Sequence, residues 1–126
     1  KKRQLKQFDT AKSLADFIVS IFKQNNLNTG KIHPATKIFL ALKIAVNDEL
    51  NNLTSALNQS LKIIKQSGWI LIITFHSTED RLVKNFIKSS KNQKIITNIL
   101  KIKPNFKDIK QNPLSRSALL RAFQKA

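Results

Sequence analysis

Residues 69–86 read WILIITFHSTEDRLVKNF, and the fold turns on how this stretch divides. Trp69 to Phe75 is an unbroken β-branched and aromatic run, which predicts a strand. Its continuous rather than alternating apolar character predicts burial on both faces, as in a parallel sheet. From Ser77 the period changes, and Leu82, Val83, Phe86 and Ile87 fall on one helical face. The junction therefore sits at the carboxyl end of a strand, where open α/β sheets bind ligands. His76, Ser77 and Glu79 could offer donors, an acceptor or a proton carrier there. A plain helix start explains the same residues. Ser77 with Asp80 three positions on forms an S-x-x-D capping box, and Glu79 and Asp80 complement the helix dipole. Local chemistry favours the cap, and the two readings coexist because a cap at that end of a strand borders the crevice.

Upstream, Thr10 is a cap candidate for an amphipathic helix carrying Leu14, Phe17, Ile18, Ile21 and Phe22, ended by a turn from Asn25 to Gly30. Pro34 suits a first helical turn, with His33 as its cap rather than a ligand. From there Phe39, Leu42, Ala45, Val46, Leu50, Leu53, Leu57, Leu61 and Ile64 keep a three- and four-residue rhythm. That run exceeds an average helix and predicts a break around Asn47 to Asn52, with Gly68 as the helix C-cap. Downstream, Lys94 to Ile102 reads as a strand ended by Lys103-Pro104, and Asn105 to Gln111 as a loop or helical turn. Helix propensity favours a helix for SALLRAFQKA at the end of the chain. Helices followed by strand–helix–strand predict the later half of a doubly wound α/β sheet.

The chain has 23 Lys plus Arg against 7 Asp plus Glu, a net charge of +16. Such a chain is drawn to polyanions, nucleic acid first and an anionic membrane surface second. Its cations are scattered along helices, which suits a face tracking phosphates and equally a solvated surface. The absence of Cys excludes disulfides, thiolate zinc sites and cysteine nucleophiles. Two His leave little material for a metal site, and none is expected. No apolar run reaches the roughly 18 residues of a membrane span, and the basic start lacks the apolar core of a signal peptide. A cytoplasmic protein is the expectation. Gly30 and Gly68 are the only glycines, so no phosphate-cradling loop is encoded here. The sequence also has no Met, which fits a trimmed chain or a piece of a longer one.

Three blocks occur in order: HPATKIFLALKIAVNDEL (33–50), WILIITFHSTEDRLVKNF (69–86) and NPLSRSALLRA (112–122). Together they resemble the MraW/RsmH family, S-adenosylmethionine-dependent methyltransferases that modify N4 of a cytidine in 16S ribosomal RNA of the small subunit. The resemblance covers nearly the whole chain, most weakly up to Asn28, and only the C-terminal portion of the family's usual length. Three positions depart from the family pattern. Lys37 stands where HPATR has Arg, Thr78 where HSLEDR has Leu, and Leu114 where NPRSRS has Arg. Lys37 keeps the charge and loses the bidentate fork.

The resemblance implies a Rossmann-like methyltransferase domain interrupted by a helical insert that helps recognise RNA. Residues 1–46 would be the end of the insert and 47–126 the C-terminal part of the catalytic domain. It also implies an antiparallel last strand, so Ser117 to Phe123 is expected to be a strand against its helix propensity. Substrate-pocket candidates are His76, Ser77, Glu79, Arg81 and Asn47, the last also suited to ending a helix. RNA-contact candidates are Lys37, Lys43 and Arg116. The cofactor's glycine-rich motif is expected outside this chain. The alternative is a small basic RNA-binding protein without catalysis, including a decayed remnant of the enzyme. A DNA-binding helical module is a third class, disfavoured by the buried-strand pattern at 69–75.

Overall fold

The computed structural model describes residues 7–27, 30 and 32–126. The basic start and positions 28 and 29 of the expected Asn25–Gly30 turn lie outside them. The chain divides into two compact units, Lys1–Asp48 and Glu49–Ala126.

In the first unit, α1 (Ala11–Gln24) packs against α2 (Pro34–Val46). Thr10 caps α1 in a reciprocal box with Ser13, and His33 caps α2 by accepting from the Ala35 amide at 3.3 Å. Ile18 and Ala35 are its buried residues, and the rings of Phe8 and Phe17 lie 5.1 Å apart. α2 ends at Asn47, and Asp48 adopts a left-handed φ of 50°. The long helical run thus breaks at the start of the expected window.

The second unit runs α3 (Glu49–Ile63), β1 (Trp69–Thr74), α4 (Ser77–Asn92), β2 (Ile96–Ile102), α5 (Phe106–Gln111), a 3-10 turn (Pro113–Ser117) and β3 (Leu119–Lys125). It is a mixed α/β unit with one three-stranded sheet in the order β1-β3-β2. β3 is antiparallel to both neighbours, so β1 and β2 run in the same direction. The last segment is therefore a strand, as the resemblance implied and helix propensity did not. Pairing on both edges and burial of Ala122 and Phe123 outweigh a preference of only a few tenths of a kcal/mol per residue.

The core joins Leu57 of α3, Ile70 of β1, Val83 and Ile87 of α4, Ile96 of β2 and Phe123 of β3. Phe86 and Phe123 add a tilted ring pair with centroids 6.1 Å apart. Residues paired across antiparallel strands share a face. One face of the sheet, with Ile70, Ile72 and Phe123, packs on the helices. The other, with Leu71, Ile73, Leu100 and Ile102, is open.

Two expectations are corrected here. Among the described residues β1 is buried on one face only: Leu71 and Ile73 are 62% and 60% exposed, and the strand paired with β1 is antiparallel β3. Its unbroken apolar run reflects one packed face and one open apolar face. Gly68 is not a helix C-cap, because α3 stops at Ile63 and the left-handed residue of the following turn is Ser67, with φ 62°. Gly68 is required by close approach instead. A Cβ there would lie 2.5 Å from Ile64 Cγ1 and 2.9 Å from the Lys65 carbonyl oxygen.

Candidate active-site cleft

The carboxyl ends of β1 and β2 and the start of β3 lie on one edge of the sheet, since β1 and β2 run together and β3 against them. A cleft of about 410 Å³ opens at this edge. Thr74, Phe75, His76 and Ser77 line it from the β1–α4 junction, Lys103 and Pro104 from the end of β2, and Arg116 and Ser117 from the 3-10 turn. The position follows from the sequence. Lys103-Pro104 stops β2, Asn105 caps α5 in a box with Asp108, and Asn112-Pro113 ends α5 and turns the chain back.

The cap of α4 differs from the expected Ser77–Asp80 box. His76 is the N-cap, and its Nδ1 accepts from the Glu79 amide at 3.3 Å. Glu79 Oε2 accepts in return from the amides of Phe75 at 3.0 Å and His76 at 3.4 Å. With Nδ1 engaged as an acceptor, a neutral ring carries its proton on Nε2. That nitrogen is buried and lies 3.2 Å from Glu79 Oε1. Ser77 is thus the first helical residue, and its hydroxyl is left for the cleft.

Asp80 has a different partner. Arg121 Nε donates to its Oδ1 at 2.7 Å and Nη2 to its Oδ2 at 3.1 Å, a bidentate pair. The Arg121 guanidinium holds the Asp80 carboxyl below its ordinary value, against the opposing effect of burial. The pair ties the middle of β3 to the first turn of α4, and so fixes where His76 and Ser77 sit relative to the sheet. Thr74, 2% exposed, closes the floor with its hydroxyl 3.4 Å from the Leu119 carbonyl.

One ligand atom from each of Glu49, His76 and Glu79 lies within 4.8 Å of the others, a donor set that could hold a divalent cation. Glu79 is already bonded to two backbone amides and His76 to the Glu79 amide, so the cap engages two of the three. The cleft does not fit S-adenosylmethionine by itself. Both glycines lie outside it, and its acid, Asp80, is held by Arg121.

A family model, described as the MraW methylase family, matches residues 1–126. The chain belongs to this family. It is 43% identical over 121 residues to "Ribosomal RNA small subunit methyltransferase H" of Sulfurihydrogenibium sp., covering 94% of this chain and 41% of that relative. The protein of the same name from Coprothermobacter proteolyticus is 40% identical over 125 residues, 98% of this chain and 40% of its own length. That from Persephonella marina is 39% identical over 125 residues, 98% and 42%. The chain thus spans about two fifths of the curated relatives it matches. Among the described residues no helix is long and apolar enough to cross a membrane.

Of the residues singled out in this MraW-family sequence, the cleft gathers His76, Ser77 and Arg116. Glu79 supports His76 from behind, and Arg81 is exposed on α4, outside the lining. Lys37, Lys43 and Asn47 belong to α2 and its C-cap in the other unit. Sequence reasoning missed Asp80 as more than a cap, along with Lys103, Ser117 and Arg121. Arg121 carried a findable signal: a cation among the apolar residues LLRAF of a strand needs a buried partner.

Proposed function

We propose that this chain is the C-terminal part of a small-subunit ribosomal RNA methyltransferase, one that transfers a methyl group from S-adenosylmethionine to N4 of a cytidine in 16S RNA. The observation that carries the reading is the cleft at the carboxyl ends of β1 and β2, where a family member presents His76, Ser77 and Arg116 together. In this reading β1, β3 and β2 form the closing end of a Rossmann-like sheet, with β3 antiparallel between two co-directional strands and β2 outermost. The unpaired edge of β1 and the open apolar face take the remainder of the catalytic domain. Residues 1–46 belong to an RNA-recognising insert, with Lys37 and Lys43 facing RNA.

Methyl transfer to an exocyclic amine depends on holding the nucleophile in line and excluding water, so positioning carries most of the catalysis. Ser77 is placed to orient the base through its hydroxyl. His76 borders the pocket and fixes the first turn of α4 that carries Ser77, and Glu79 and Arg121 keep them in place. The cofactor supplies the methyl group when bound and is recognised outside this chain.

The test is transfer of labelled methyl from S-adenosylmethionine to unmodified small subunits by the intact protein. His76→Asn keeps a capping oxygen and Ser77→Ala removes only a hydroxyl. Each is expected to lower turnover at least tenfold while thermal stability holds within about 1 kcal/mol. Full activity in both variants would remove these residues from the pocket. Absence of any transfer by the intact protein would favour the non-catalytic RNA-binding alternative.

A further inference from the structure

The cleft holds a second feature, distinct from the residues proposed to orient the base. Lys103 and Arg116 reach it from different elements, the end of β2 and the 3-10 turn. Neither has an ion-pair or side-chain hydrogen-bond partner among the described residues. Ser117 also lines the cleft, its hydroxyl without such a partner among the described residues. The amide of Ser77, the first of α4 and a lining residue, is outside the helix's own hydrogen bonding and adds a donor from a third element. The acid in the lining, Asp80, is engaged by Arg121, and Glu79 behind His76 by the Phe75 and His76 amides. Donors and positive charge therefore dominate the lining that is still available to a ligand.

We propose that Lys103 and Arg116 form a clamp for one phosphodiester of the RNA strand next to the target nucleotide, with the Ser117 hydroxyl as a neutral donor. The inference rests on the RNA reading above and adds a phosphate subsite, with Lys103 as a residue not previously singled out. An oxyanion with several acceptor oxygens matches donors converging from three elements, and the planar Arg116 fork suits two of them. The clamp holds the backbone, so the flanking base need not be read.

The experiment measures binding of a short cytidine-containing single-stranded RNA to the intact protein at several salt concentrations. The variants are Lys103→Gln, Arg116→Gln and, as a control in the turn beyond α4, Lys94→Gln. Lys103 and Arg116 are exposed, so their variants are expected to fold, which circular dichroism checks. Each should weaken binding about 3- to 10-fold and reduce the slope of log affinity against log salt by about 0.7, with Lys94→Gln unchanged. Replacing one backbone linkage by a neutral methylphosphonate should cost as much and not add to the loss from Lys103→Gln. RNA binding that persists with both variants at wild-type affinity and slope overturns the clamp and leaves the RNA reading standing. No RNA binding by the wild type overturns both. Inorganic phosphate that binds in a Lys103-dependent way, with RNA affinity unaffected, shows a free-anion site and also overturns the clamp.

Discussion

Asp80 and Arg121 show how a single pairing sets the geometry of the site. Their side chains are 25% and 10% exposed, so the pair lies largely out of water while Asp80 keeps some solvent contact. Removing one member leaves the other buried without its partner, which is costlier than losing a surface ion pair. Asp80→Asn is expected to destabilise the fold by about 2 kcal/mol at neutral pH, below the range for a fully buried pair because of that solvent contact. The pH dependence has a definite sign. The folded carboxyl is depressed below its ordinary 3.8, so its contribution is fully present above that value and disappears as pH falls through the lower, folded one. Urea midpoints for wild type and Asp80→Asn should therefore differ at pH 6 and converge as pH falls through the depressed folded value of Asp80. A constant difference across that range would show that the pair is not the titrating element.

At the scale of elements, the turn between α3 and β1 limits the register of the whole sheet. The Ser67 amide donates to the Lys125 carbonyl at 3.0 Å, and the Lys125 amide donates to the Gly68 carbonyl at 3.0 Å. Gln124 Nε2 and Lys125 Nζ donate to the carbonyls of Ser67 and Ile64, at 2.7 and 3.0 Å. The turn is thus stitched to the end of β3. Gly68→Ala places a methyl against Ile64 and against the Lys65 backbone, and only Ile64 can yield by rotating. A loss of about 1–3 kcal/mol is expected, read as a lower thermal midpoint. An unchanged midpoint would show that the turn relaxes freely. β2 has its own irregularity, a register shift between Thr97 and Leu100 with Asn98 at φ 44°. Asn98 Nδ2 donates to Gln124 Oε1 at 2.6 Å across it.

For the whole molecule, the open sheet face matters most. Leu71, Ile73, Leu100 and Ile102 are 62%, 60%, 49% and 52% exposed, and they lie together on one face. A contiguous apolar face of this kind marks an interaction surface or an aggregation liability. Expressed as these 126 residues alone, the protein is expected to bind a hydrophobic dye strongly and to self-associate. Leu71→Thr with Ile73→Thr should reduce both while preserving the strand, because Thr keeps β-branching. Equal dye binding by the double variant would place the apolar surface elsewhere.

The amino-acid sequence by itself determined most elements and several of their ends: Thr10 and His33 as helix starts, a break within Asn47 to Asn52, a strand over 69–75 that ends at Thr74, and the stop at Lys103-Pro104. These are local effects of torsion preference, periodicity and side-chain-to-amide bonding, which a short window contains. The three ordered blocks were also enough to place the chain in its family and to bring His76, Ser77 and Arg116 forward. Tertiary structure alone decided which acid capped α4. His76 and Glu79 satisfy the helix amides, and Asp80 is drawn to Arg121, 41 residues away in sequence. It also decided that Lys103 and Ser117 share a cleft with His76 and that β1 exposes one apolar face. Those outcomes depend on which strand lies beside which, and pairing between distant segments is not encoded in any local pattern.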